Sequence, residues 1–229
     1  MSAMYRTEEV TRAPRTSPLV GWLMLAGGVL YFVGGSMHPK EDPPGVSLKE
    51  HLLVMYEDPI WYPAHAVFFV GMVLLAASLV TLVRGGSLRP VRAAHALAVV
   101  AAVTTTLAAA GSLLHLVSGS DADRIAAGRS TPITDVQVIV ETITVPAFGV
   151  SIVALAVVGA MTGTIGNWVA AVLGVIGGVA YALAGGTFLL TDRLDFLFPV
   201  SSGIALWALA AGIGLLLRGR AARRAVMQP

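Results

Sequence analysis

An all-α fold that crosses a membrane six times is predicted by three observations: sparse charge, long apolar runs, and no alternation of polarity within those runs. Of the 229 residues, 56% are hydrophobic and only 12% are charged, and the mean hydropathy is +0.79. A soluble domain of this size carries about 25% charged residues, so half that charge cannot dress its surface for water. The chain therefore reads as an integral membrane protein whose first partner is the lipid bilayer. Cysteine is absent, which removes thiol redox chemistry, Fe–S clusters and thiolate zinc sites.

A hydrocarbon core of about 30 Å needs about 20 apolar residues per helix. Six segments qualify: Pro18 to Ser36, Trp61 to Val83, Ala93 to Ser118, Val136 to Met161, Trp168 to Leu190 and Pro199 to Leu217. Only the fourth carries a charged residue, Glu141, although histidines lie within the second and third. Barrel strands are excluded, because a spanning strand shows about ten residues of alternating polarity. The domain organisation is then a tail over residues 1–17, a six-helix bundle over 18–217 and a basic tail over 218–229. The first span is read as a retained helix and not a cleaved signal peptide, since its apolar run exceeds a signal core and Gly34-Gly35-Ser36 leads to no clear small-x-small site.

Orientation follows from the excess of Lys and Arg on cytoplasmic loops. Arg6, Arg12, Arg15, Arg84, Arg89, Arg92, Arg218, Arg220, Arg223 and Arg224 share the side of both termini, which is expected to be cytoplasmic in a plasma (inner) membrane protein. Glu41, Asp42, Glu50, Glu57, Asp58, Asp121, Asp123, Asp135, Asp192 and Asp195 lie on the other side. An acidic outer face concentrates cations and disfavours nucleic acid as a partner.

The first outer loop, Met37 to Ile60, is broken by Pro43-Pro44-Gly45. It then offers Ser47 with Glu50 three residues on, a capping-box signature ahead of His51, Leu52, Leu53 and Tyr56. A short amphipathic helix on the membrane surface is expected there, with Trp61 and Tyr62 in an aromatic belt. The second outer loop, Gly119 to Asp135, is polar without a strong pattern. Gly27-Gly28 and Tyr31 in span one match Gly177-Gly178 and Tyr181 in span five, and Pro63 near the start of span two matches Pro199 in span six. Spans one and two could thus be a duplicate of five and six. The alternative is chance likeness between glycine-rich helices.

Chemistry is concentrated in histidine. His38 lies at the outer end of span one, His65 about one turn into span two, and His115 about one turn from the outer end of span three. At about 1.5 Å rise per residue, His65, His115 and Glu141 fall at a common depth of about 5 to 8 Å below the outer boundary. Ionisable groups inside a membrane mark a functional site by default. Pro146 removes a backbone hydrogen bond beside Glu141 and predicts a kink there. By contrast, His51 suits a headgroup-facing position and His95 stands near the inner face beside Arg92.

Three chemistries fit this set. A transition metal could be held by His38, His65, His115 and Glu141. A b-type haem could sit between His65 and His115, with Gly111 relieving crowding by the porphyrin. Glu141 could carry protons for a small-solute or lipid transporter. A fourth reading needs no chemistry: an accessory or scaffold subunit of a larger membrane complex or homo-oligomer, with the polar cluster only structural. The only lysines, Lys40 and Lys49, lie in the outer loop, so a retinal Schiff base inside the bundle is excluded. No serine sits in a G-x-S-x-G elbow, and no glycine loop with lysine is present to cradle phosphate.

Overall fold

The computed structural model describes residues 16–39, 46–188, 194 and 196–227. Residues 1–15 of the tail expected over 1–17, and the Pro43-Pro44-Gly45 break, lie outside the described residues. All regular structure among the described residues is helical: α1 (Pro18–Met37), α2 (Leu48–Glu57), α3 (Trp61–Arg84), α4 (Arg92–Ser118), α5 (Ala122–Ala126), α6 (Pro132–Met161), α7 (Trp168–Ala184), α8 (Leu197–Val200) and α9 (Gly203–Met227). Six segments have the length and composition to cross a membrane: α1, α3, α4 with its extension to Ala126, α6, α7 with the following turn, and α8 with α9.

Local chemistry sets the helix starts. Ser17 Oγ accepts the amide of Leu19 at 3.3 Å, and Pro18 occupies the first turn, where its missing N–H costs nothing. Asn167 Oδ1 accepts from Ala170 N at 3.0 Å and starts α7. The capping box of α2 is formed in full: Glu50 Oε2 accepts from the Ser47 amide at 2.8 Å while Ser47 Oγ accepts from Glu50 N. Those two bonds from Ser47 hold the Glu50 carboxyl below the usual carboxylate range. At the other end of the chain, the basic stretch after Leu217 continues α9 through Met227 where a tail was expected. Alanine and arginine there are strong helix formers, so propensity carries the helix past the apolar run.

The spanning helices form a closed ring. α1 packs on α3, α3 on α4, α4 on α6, α6 on α7, α7 on α9, and α9 returns to α1. Met24, Tyr31, Met72, Phe148, Trp207 and Ile204 are buried within it. Between helices that lipid cannot drive together, close backbone approach and hydrogen bonds supply the attraction. A Cβ on Gly34 would stand 2.5 Å from the Phe68 amide nitrogen, and one on Gly71 would stand 2.5 Å from that of Tyr31. Ser78 Oγ donates to the Val20 carbonyl across α3 and α1 at 3.0 Å, and Thr104 and Ser151 pair across α4 and α6 at 2.7 Å.

The helix registers do not repeat between the two similar pairs. Where Gly71 of α3 meets Tyr31, the matching position opposite Tyr181 would be Trp207, yet Trp207 packs on Gly174, about two turns away along α7. In both pairs the glycines let neighbouring helices approach closely.

Candidate functional site

At one end of the ring three helices bring their termini together. α1 ends at Met37 and places His38 as its cap residue; α3 begins at Trp61 and presents His65 after one turn; α4 carries His115 in its last turn. This end lies opposite the start of α1 and the last turns of α9, which meet at Gly21 and Leu216. The close contacts at Gly34–Phe68 and Gly71–Tyr31 hold α1 and α3 backbone to backbone just beneath.

The three imidazoles converge. One ring nitrogen from each of His38, His65 and His115 lies within 4.8 Å of the other two. Ring centroids are 4.9 Å apart for His38 and His65, 4.7 Å for His65 and His115, and 6.4 Å for His38 and His115.

Each ring has its Nδ1 beside an oxygen acceptor. His38 Nδ1 lies 2.9 Å from the Pro39 carbonyl, His65 Nδ1 2.7 Å from the Trp61 carbonyl, and His115 Nδ1 2.8 Å from Glu141 Oε2. A backbone carbonyl can only accept, so in His38 and His65 Nδ1 carries the proton and Nε2 holds the lone pair. The carboxylate imposes the same tautomer on His115. Such oxygen acceptors behind imidazoles are the usual outer shell of metal-bound histidine, where they fix ring orientation and raise basicity. His65 is only 5% exposed, and its Nε2 is buried without a hydrogen-bond partner. A buried polar atom left unpaired costs about 1–3 kcal/mol.

Glu141, expected among the ligands, stands behind His115. Gln137, one turn earlier on α6, donates from Nε2 to the same Glu141 Oε2. Its nitrogen also lies 3.0 Å from His115 Nδ1. The other amide atom, Gln137 Oε1, is buried without a partner. Gly111 brings α4 close to α6 here, its Cβ position lying 3.1 Å from Thr144 Oγ1 and 3.6 Å from Glu141 Cγ. The space it relieves is filled by α6 side chains.

Trp61 closes one side. Its ring centroid lies 3.8 Å from that of His65 and 5.0 Å from that of His115, on which it stacks. It is fully buried and so leaves no indole face for an aromatic belt; Tyr62, next in sequence, is half exposed. Tyr56 of α2 packs edge-on to Trp61 at 4.6 Å, and its hydroxyl donates to Ser118 Oγ at 2.8 Å. Burial pushes the Tyr56 phenol above its ordinary pKa, which keeps it a neutral donor to Ser118. α2 therefore sits as a cover against the α4–α5 turn, with Leu52, Tyr56 and Trp61 forming a small core of their own.

The second loop also contributes. Asp121, 2% exposed, accepts hydrogen bonds at Oδ2 from Ile133 N, Thr134 N and Thr134 Oγ1. It thereby caps α6 from the segment that follows α4, tying the helix that bears His115 to the one that bears Glu141. Lys49 of α2 reaches the same corner, 2.8 Å from Thr131 Oγ1 and 3.1 Å from Asp135 Oδ1.

Gln137, Trp61, Asp121 and the Pro39 carbonyl were not singled out as site residues from sequence. Gln137 had a readable signal, since a Gln four residues before a buried Glu shares its helix face. His95 lies on α4 more than five turns from His115 and does not join the cluster. No family model, curated protein or solved structure matches this chain.

Proposed function

We propose that this chain is a multi-pass membrane protein that binds one transition-metal ion, of the zinc class, through His38, His65 and His115, with the site facing the outer side of a plasma membrane. The observation that carries this reading is the buried, unpartnered His65 Nε2 set among two further imidazoles whose Nδ1 atoms are each satisfied. Three neutral imidazoles suit zinc, nickel, iron or copper, and the shortage of charged or sulfur donors disfavours hard or very soft ions. Bonds of about 2.0–2.1 Å in a tetrahedral arrangement need ligand nitrogens about 3.3 Å apart, so the rings close slightly on the ion. Glu141 supplies negative charge one atom layer behind His115 and offsets part of the ion's charge.

The same geometry favours an ion over a haem. His65 and His115 centroids at 4.7 Å, with Trp61 against both, leave no slot for a porphyrin between them. Proton-coupled transport through Glu141 is less supported, because both His115 and Gln137 already engage its Oε2. The accessory-subunit reading keeps its place as the outcome if no ion binds.

The test is metal content of the purified full-length protein by mass spectrometry, followed by zinc titration calorimetry. About one ion per chain is expected, lost in His38→Ala, His65→Ala and His115→Ala variants that remain folded. Metal-free protein that also refuses zinc, nickel and copper in titration would overturn the proposal.

A further inference from the structure

α2 faces the first turns of α6 across a cavity of about 210 Å³, to which Leu48, Lys49 and Leu52 contribute from one helix and Asp135, Val138 and Ile139 from the other. Four of these six side chains are apolar, and the two charged ones face each other. Asp135 and Ile139 share a face of α6 and are separated by about 6 Å along its axis. The charges therefore stand toward the start of the helix and the apolar wall toward its middle. Ile139 is 58% exposed, so the cavity opens on the surface of the bundle that a bilayer covers. Charge above and hydrocarbon below, at the boundary of a span, is the polarity of a lipid molecule. A mostly apolar pocket with a few placed polar groups is the usual form of a ligand site.

The polar groups select the headgroup. Lys49 Nζ lies 3.1 Å from Asp135 Oδ1 and 2.8 Å from Thr131 Oγ1, and both charged side chains are about half exposed. An ammonium carries three N–H donors, so one remains for a phosphate oxygen. Asp135 Oδ1 also accepts from Thr131 Oγ1 at 3.1 Å, while the second oxygen of a carboxylate can accept from a primary amine in its charged form. A headgroup with one phosphate and one ammonium matches this pair charge for charge. A headgroup of net negative charge would meet Asp135 and the acidic residues Glu50, Asp121 and Asp123 at the same end, and a choline has no N–H to donate. We infer that the groove between α2 and α6 binds one phospholipid with a zwitterionic, primary-amine headgroup, its phosphate on Lys49, its amine on Asp135 and an acyl chain along Leu48, Val138 and Ile139. The site is apart from the histidine cluster and stands whether or not an ion binds there.

Native mass spectrometry of the full-length protein in detergent tests this, with phosphatidylethanolamine, phosphatidylcholine and phosphatidylglycerol offered at equal concentration. One phosphatidylethanolamine per chain is expected, held at least about fivefold more tightly than either competitor. Ile139→Trp, at a position already exposed, fills the groove and should weaken that binding by about fivefold or more. The double variant Lys49→Met, Asp135→Asn should instead bind the three lipids alike. Thermal unfolding close to that of the parent shows that each variant is folded, and if Ile139→Trp is not, the charge-pair variant decides alone. Phosphatidylglycerol or phosphatidylcholine held as tightly as phosphatidylethanolamine overturns the headgroup assignment. Binding untouched by either variant places the lipid elsewhere on the bundle and overturns the groove, and no retained lipid overturns the site outright.

Discussion

His115 Nδ1 lies 2.8 Å from Glu141 Oε2, across the α4–α6 interface and with both side chains mostly buried. Two partners that approach from different helices must be held in register by both, so the pair reports on how accurately the bundle is assembled at this end. In the proposed metal-bound form it would fix the proton on Nδ1 and sharpen the Nε2 donor.

Glu141→Gln should therefore weaken zinc binding without abolishing it. Loss of an outer-shell acceptor of this kind typically costs about 10–100-fold in affinity, whereas loss of an imidazole removes a ligand outright. Competition titration against a chelator distinguishes the two. An affinity unchanged within twofold would show that Glu141 has no part in orienting His115.

Packing beneath the site makes a second, sharper contrast. Gly34 and Gly35 are adjacent, yet a Cβ on Gly34 would stand 2.5 Å from Phe68 N, and one on Gly35 would meet nothing within 4 Å. Gly34→Ala should force α1 away from α3, at a cost of about 1–3 kcal/mol for overpacking, and carry His38 away from His65. Gly35→Ala should be nearly silent. Thermal unfolding in detergent together with zinc affinity checks both; equal behaviour of the two variants would contradict the close α1–α3 approach.

The helices were readable because each needs only an uninterrupted apolar run, and boundaries fell within a few residues for α1, α3 and α4. The common depth of His65, His115 and Glu141 was equally readable, since axial height is residue count times rise. Rotation about each helix was not. Glycine-rich spans that are apolar all round carry little periodic signal to say which face turns inward. Trp61 thus read as a lipid-boundary residue although its ring lies against both His65 and His115, and the pairing of the Glu141 carboxylate with His115 Nδ1 was not legible. Asp121 sat in a loop with no pattern, because a cap supplied from a distant segment leaves no local spacing to detect.

Asp121 offers a prediction of its own. Its carboxylate accepts the Ile133 and Thr134 amides, which have no other partner in the first turn of α6. Asp121→Ala leaves those donors buried and unsatisfied, at about 1–3 kcal/mol or more given the charge. Hydrogen exchange should accelerate first at the start of α6, and zinc affinity should fall through loosening of Gln137 and Glu141. Lys49→Met cuts only the exposed tie to Asp135 and Thr131 and should change stability by less than about 1 kcal/mol. If both variants exchange alike, the buried cap has no special role.

Topology is open to a direct test. Arg84, Arg89, Arg92, Arg218 and Arg220 lie at the end where α1 starts and α9 finishes, and Glu50, Glu57, Asp58, Asp121, Asp123 and Asp135 at the end that holds the histidines, so the positive-inside rule predicts that the histidine cluster faces outside. Gly128 is a suitable insertion point for a reporter: its φ is +62° and nothing lies within 4 Å of its Cβ position, so the loop there has room. A periplasm-active enzyme inserted at Gly128 should work, and the same enzyme fused after Pro229 should not; a cytoplasm-active reporter should give the reverse. If instead the Gly128 fusion is active only in the cytoplasm, the histidine cluster faces inward and the proposed outward-facing site is overturned.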